Sequence, residues 1–345
     1  MNKTNIAWTD YTWNPITGCS PISEGCANCY AAAINKRFHL PQTIQFHPER
    51  LEEPLKKKKP SMIFAWSMTD LFHPDVSFEW LLQLMGIMIL SPWHTYQVLT
   101  KRPDRMLQFF DRWPDGWWAK KTLENTIFSE EFYAINSVKE FATTKQRLKA
   151  NDYYLEHYDQ SGRGKLDGPV PYPIPNLWLG VTVENSKHLD RVEQLLAIPA
   201  AVRFVSLEPL LEDIDIVRHL SPTAKIWRCK KCGWTGHRDL LGGGCLSISC
   251  PGKKCIASNG IVASNNDELE IAEHEPHLDW VIVGAETGPG RRECKIEWVR
   301  AIVEQCQDAG VPCFVKQIEM NGKISHDMNE WPADLRVRQW PERSR

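Results

Sequence analysis

Six short apolar runs constrain this chain most: Met62–Trp66, Tyr96–Leu99, Leu177–Val181, Arg203–Leu207, Trp280–Val283 and Pro312–Val315. A near-continuous apolar run of four or five residues is what a strand needs when both of its faces are covered, so the runs predict a parallel sheet. Between them lie segments of helical pattern, Phe78–Leu90, Ser186–Leu196 and Glu297–Ala309, the last followed by Gly310 in the position of a C-cap. Strand and helix alternate repeatedly, which is the pattern of an α/β protein. No Gly-x-Gly-x-x-Gly opens any strand-to-helix turn. The expected architecture is therefore a partial or modified TIM-type (β/α) barrel rather than a doubly wound sheet.

Two stretches break the alternation. Residues about 110–175 begin with Trp113, Pro114, Asp115, Gly116, Trp117 and Trp118 and end in the Pro-rich run from Gly168 to Pro175, as an insertion in the barrel would. Residues 213–278 hold five cysteines and then a polar, acidic run, and read as a metal-stapled insert. The expected division is thus a barrel over 1–212 and 279–325, a zinc-ribbon-like insert over 213–278, and a C-terminal tail over 326–345. A chain with 24% charged and 42% hydrophobic residues is not a disordered, collagen-like or membrane protein by composition. Its net charge of −2 excludes a generally basic nucleic-acid coat, and Lys56–Lys59 read as an exposed loop run. The N-terminus lacks the apolar stretch of a signal peptide and no segment reaches membrane-spanning length, so a cytoplasmic location without membrane partners is expected.

In a reducing compartment 11 cysteines, an odd number, point to metal rather than disulfides. Cys19, Cys26 and Cys29 lie within eleven residues in a loop rich in Pro and Gly, just before the helix-forming run Ala31–Phe38. Three thiolates from one loop can ligate three irons of a [4Fe–4S] cluster and leave the fourth iron open. A structural zinc would need a fourth ligand, for which His39 or His47 stands nearest. Cys229-x-x-Cys232 and, after 17 residues, Cys250-x4-Cys255 have the paired spacing of a structural zinc site, with Cys245 or His237 as alternates for one position. Lys225, Trp227, Arg228, Lys230, Lys231 and Trp234 flank that site and offer charge for phosphates and rings for bases. Cys294, Cys306 and Cys313 are isolated and read as packing thiols.

Asn14-Pro-x-Thr-Gly-Cys19 with Gly25-Cys26-x-x-Cys29-Tyr-Ala resembles the opening motif of an uncharacterised bacteriophage and bacterial protein family that is similar to radical S-adenosylmethionine (SAM) enzymes. The resemblance continues through Ser67-Met-Thr-Asp-Leu-Phe-His73, Leu99-Thr-Lys-Arg-Pro103, Trp178–Asn185, Phe204–Leu211, Trp280–Gly290 and Val315-Lys-Gln317. The loop spacing here is Cys-x6-Cys-x2-Cys, against the usual Cys-x3-Cys-x2-Cys of radical SAM enzymes. If the resemblance holds, SAM chelates the open iron and is cleaved reductively to a 5′-deoxyadenosyl radical, an electron donor such as flavodoxin or ferredoxin is required, and a phage-encoded copy works in the host cytoplasm.

Functional groups of a parallel barrel gather at the carboxyl ends of its strands. Here those ends carry Ser67 and Asp70, Thr100, Lys101 and Arg102, Glu184 and Asn185, Glu208, Glu286, and finally Lys316 and Gln317. Carboxylates can hold an ammonium and ribose hydroxyls, and Lys and Arg can hold a carboxylate or a phosphate; of these residues Ser67, Asp70, Lys101, Glu184, Glu208 and Glu286 are the candidate cofactor-binding residues. No catalytic residue can be named from the pattern. The expected function is a radical SAM-like iron–sulfur enzyme acting on an unknown substrate, with DNA, RNA or a nucleotide suggested by the ribbon and the phage association. The rival reading is a non-enzymatic zinc-binding module for nucleic acid or protein.

Overall fold

The computed structural model describes residues 1–112, 149–150, 152–153, 156, 173–220, 225–229, 235–237, 269–274 and 276–342. Most of the expected 110–175 insertion, and Cys232, Cys245, Cys250 and Cys255, lie outside the described residues. The chain divides into two compact units, one of Met1–Ile216 with Leu278–Arg345 and one of Val217–His277.

The larger unit is built on a nine-stranded sheet. Seven strands run parallel in sequence order: β2 (Tyr11–Trp13), β5 (Met62–Ala65), β6 (Thr95–Thr100), β7 (Leu177–Thr182), β8 (Val202–Leu207), β12 (Trp280–Gly284) and β13 (Cys313–Met320). Antiparallel strands close both edges, β1 (Asn2–Lys3) on β2 and β14 (Lys323–Ser325) on β13. Because these edges are capped and β2 does not pair with β13, the sheet is not a closed barrel. Every apolar run named above supplies a strand, with Trp66 and Pro312 just outside β5 and β13. β2 had no such signal, because only three residues precede Asn14-Pro15 and a run that short carries no period.

The sheet is nevertheless strongly curled. Strands sit about 4.8 Å apart, so in a flat sheet β5 and β13 would stand about 24 Å from one another. Instead Phe64 of β5, Trp178 of β7, Phe204 of β8, Trp280 of β12 and Phe314 of β13 share one buried cluster. Trp8 fills the middle of it, with its ring 4.8 Å from Phe64 and 6.3 Å from Trp280. Trp280 also meets Trp178, Phe204 and Phe314 at 5.9, 5.7 and 6.2 Å, tilted or edge-on as aromatic quadrupoles favour. Most of these residues come from the first half of their strands, so the aromatic cluster fills the amino end of the curl.

Helices cover the other face. Before β5 come α1 (Tyr30–Arg37), a two-stranded ribbon of β3 (Ile16–Thr17) with β4 (Gln45–Phe46), and α2 (Glu53–Lys56). α3 (Phe78–Leu90) is capped by Ser77, whose hydroxyl accepts from the Trp80 amide, and it is apolar on nearly all sides because it is buried. α4 (Pro103–Arg112) follows β6, and α5 (Asp190–Leu196) follows β7. The segment 326–342 packs on the same unit, with Trp331 and Leu335 buried and the Gln339 carbonyl accepting from Trp280 Nε1 at 2.8 Å.

The smaller unit contains α6 (Val217–Leu220) and a three-stranded antiparallel sheet in which β9 (Lys225–Cys229) lies between β10 (Thr235–His237) and β11 (Leu269–His274). Cys229 is paired with Leu269 and His237 with Ile226, three positions along β9 from Cys229. That separation is about 10 Å of strand. Back in the larger unit, α7 (Ile296–Ala309) ends at Gly310, whose φ of 68° is the left-handed C-cap that glycine adopts without strain. Cys294, Cys306 and Cys313 are buried and free. Among the described residues no helix is long and apolar enough to cross a membrane.

Candidate functional site

The segment from Gly18 to Tyr30 lies across the carboxyl ends of the parallel strands and is fastened beyond four of the seven, β5, β6, β7 and β12. Thr69, beyond β5, donates its hydroxyl to the Gly18 carbonyl. Arg102, beyond β6, donates Nη2 to the Ser20 carbonyl at 2.8 Å, and Ser20 Oγ stands 2.7 Å from His73 Nε2. Ser23 donates to Glu184 Oε1, beyond β7, at 2.6 Å. Asn28 donates Nδ2 to Glu286 Oε2, beyond β12, at 2.9 Å, and to the Gly290 carbonyl at 3.0 Å. Tyr30 donates its hydroxyl to the Ser67 carbonyl, while the Ser67 side chain meets Asn14 Nδ2 at 3.1 Å. Trp66, between β5 and Ser67, has a φ of 68°, a conformation that costs a bulky residue free energy and marks a constrained strand end.

Beneath this loop the acidic and basic side chains pair with one another. Asp70 is buried and accepts from the Thr100 hydroxyl at 2.6 Å, the Lys101 amide at 3.0 Å and Arg102 Nη1 at 3.0 Å. Glu184 is fully buried, with Arg191 Nη1 at 2.9 Å from one oxygen and Lys101 Nζ at 3.5 Å from the other. Burial pushes the Glu184 carboxyl up, but the Lys101 ammonium, the Arg191 guanidinium and the Ser23 hydroxyl outweigh it and hold it below the usual carboxylate range. Glu286 follows the same balance: burial raises it, and the bonds from Arg292 and Asn28 lower it further. Arg292 binds both Glu286 oxygens, at 2.5 and 3.0 Å. Glu208 stands apart from these, with Lys316 Nζ at 2.5 Å and Gln317 Nε2 at 2.9 Å from its Oε1.

Gly25 is the point of closest approach. A Cβ on it would land on the Glu184 carboxylate, which three partners hold in place. The loop therefore seats at this depth only because residue 25 has no side chain.

Cys19, Cys26 and Cys29 are half-buried and free within this loop. Cys26 ends a short 3₁₀ turn, Glu24–Cys26, and Cys29 is the N-cap of α1, its carbonyl accepting the first helical bond from the Ala33 amide at 3.0 Å. Burial and then the Asp70 carboxylate push the Cys19 thiol up, while the Arg102 guanidinium and the Asp70 amide pull it down; the net shift is upward. Its proton must therefore leave when a metal binds. Among the described residues no three His, Cys, Asp or Glu side chains are gathered into a group that could hold a metal ion as they stand. Three thiols on one loop are the donor set that a [4Fe–4S] cluster would use. His47, one of the two zinc alternates, bonds Thr17 Oγ1 through Nε2 at 2.9 Å.

Residues 3–340 match the family described as protein of unknown function DUF5131. The chain belongs to DUF5131. That description assigns no activity, and nothing in the match bears on radical SAM chemistry. A search of curated proteins and of solved structures found no match.

In this DUF5131 chain five of the six strand-end candidates, Ser67, Asp70, Lys101, Glu184 and Glu286, touch the cysteine loop or the groups that hold it; Glu208 does not. The structure adds residues that carried no site role in the sequence: Ser20, Ser23, Asn28, Arg191 and Arg292. A local signal existed for the two bases, since Arg191 follows Glu184 by seven residues and Arg292 follows Glu286 by six, the reach of a single strand-to-helix turn. No signal existed for Ser23 and Asn28, whose partners are 161 and 258 residues away.

Proposed function

We propose that this protein is an iron–sulfur enzyme of the radical SAM type, built on a partial (β/α) barrel. Cys19, Cys26 and Cys29 hold a [4Fe–4S] cluster, and SAM binds at the open iron. The observation that carries this reading is the tethering of one three-thiol loop across the carboxyl ends of the parallel strands, where barrel enzymes place their chemistry. When bound and reduced, the cluster supplies the electron that cleaves SAM to methionine and a 5′-deoxyadenosyl radical.

The chain's own residues orient and enclose. Asp70, Glu184 and Glu286 are buried and paired, so they position the loop. Ser67, Lys101 and Glu208 are only partly buried and are the groups left to hold the amino, carboxylate and hydroxyl groups of SAM. Ile22, Tyr30, Phe38 and Leu40, exposed on and just after the loop, give apolar area for a protein electron donor such as flavodoxin or ferredoxin. In the smaller unit, Cys229, Cys232, Cys250 and Cys255 hold a structural zinc; the paired spacing supports this. A nucleotide or nucleic-acid substrate follows from the basic and aromatic residues around that spacing.

Metal analysis after anaerobic purification and reconstitution tests the reading. About four irons and one zinc per chain are expected, with iron lost in Cys26→Ala. Two zincs and no iron would replace the enzyme with a zinc-binding module. The activity has its own test: dithionite-reduced protein with SAM should release 5′-deoxyadenosine, and an iron-loaded protein that neither binds nor cleaves SAM would remove the radical SAM assignment.

A further inference from the structure

Beside the cysteine loop lies an open groove of about 520 Å³ that the functional reading does not use. One wall is the segment following β12, with Thr287, Gly288 and Arg291; the other is the β13–β14 hairpin, with Lys323, Ile324 and His326. No Asp or Glu lines it. Arg291 donates to the Gly322 carbonyl across the groove, and Glu319 lies behind it at 3.8 Å. The Glu319 carboxylate is also engaged by the Cys294 amide at 3.0 Å. Arg291 Nε is buried without a hydrogen-bond partner. Lys323 and His326 have no carboxylate partner among the described residues, and the Thr287 and Gly288 amides donate no hydrogen bond there.

We infer that this groove binds the phosphate of a nucleotide unit, either free or within a strand. Two cationic side chains, Arg291 and Lys323, a histidine and unused backbone amides on one concavity suit a phosphate, which accepts several hydrogen bonds at once. The volume is that of a small-ligand site, and Pro289 and Ile324 provide apolar surface for the rest of the nucleotide. Its position gives it a use: Asn28 binds both Glu286 and the Gly290 carbonyl, so the segment forming one wall is fastened directly to the loop that carries the three cysteines. The inference rests on the groove and not on the iron–sulfur reading.

The test needs neither iron nor turnover. Full-length protein is titrated into a fluorescein-labelled 15-nucleotide single strand, followed by anisotropy, with AMP, adenosine and inorganic phosphate as competitors. Lys323→Glu should weaken binding by about tenfold and lower the salt dependence by about one unit, while Lys59→Glu, an equal charge change on an exposed residue elsewhere, should leave affinity within twofold. Competition by AMP or phosphate but not adenosine identifies a free nucleotide as the ligand; strand binding that AMP does not displace identifies nucleic acid. Affinity unchanged in Lys323→Glu, equal weakening in both variants, or no binding of any probe by the wild type overturns the inference. Circular dichroism and a thermal melt establish that each variant is folded.

Discussion

The two ends of the curled sheet are made of opposite materials. At the amino end Trp8, Trp178, Phe204, Trp280 and Phe314 interlock with little polar content. At the carboxyl end the described strands lead into buried Asp70, Glu184 and Glu286, each matched by a base and each engaged with the cysteine loop or its support. Aromatic burial stabilises a fold through area and dispersion, largely independent of pH. Buried ion pairs stabilise little net, because desolvation offsets their attraction, yet they fail badly when one partner is removed. The amino end therefore holds the sheet together, and the carboxyl end fixes the depth and orientation of one loop.

The largest effect tests the first half of that contrast. Trp280→Ala should lower unfolding free energy by about 3–5 kcal/mol, read by urea denaturation, because four aromatic neighbours lose their partner. The loss should be nearly the same at pH 4 and pH 7. Glu184→Gln should cost about 3 kcal/mol at neutral pH, since it leaves Arg191 and Lys101 without their carboxylate. Its pH dependence distinguishes the two ends. The folded Glu184 carboxyl titrates below its unfolded value. Its stabilisation is thus fully present above the unfolded value of about 4.3 and is lost as pH falls through the lower folded value. The difference between wild type and Glu184→Gln should shrink on acidification over that window; a difference constant down to the folded value would contradict the charged pairing.

Smaller effects probe the loop itself. Gly25→Ala should cost about 1–3 kcal/mol, because the new methyl must displace the loop or a held carboxylate; a melting temperature equal to wild type would mean that the loop is not seated on Glu184. Ser23→Ala should cost about 1 kcal/mol and show mainly as faster hydrogen exchange at residues 19–29, with the amides of β7 and β12 unchanged. If both sets of amides loosen together, the loop is part of the sheet's own stability and not a separate element laid on it.

Periodicity and composition were enough to read the α/β class, the six longer parallel strands and, of the helices between them, α3, α5 and α7 though not α4. Each of the elements read is specified by residues within one turn or one pleat of each other. The Gly310 cap and the packing role of Cys294, Cys306 and Cys313 were legible for the same reason. Polar residues at the strand ends were legible as a group. Their roles were not: Glu184 reads in sequence as a free carboxylate, and only the fold encloses it between Ser23, Lys101 and Arg191. The open edges of the sheet were beyond the sequence as well, since closure depends on how far the strands curl and on whether β1 and β14 occupy the edges first. The sequence by itself determined that three thiols would share one loop. That this loop would be tied down at the carboxyl ends of the strands was decided by the tertiary structure, because hydrogen bonds and ion pairs act over a few ångströms of space whatever the separation along the chain.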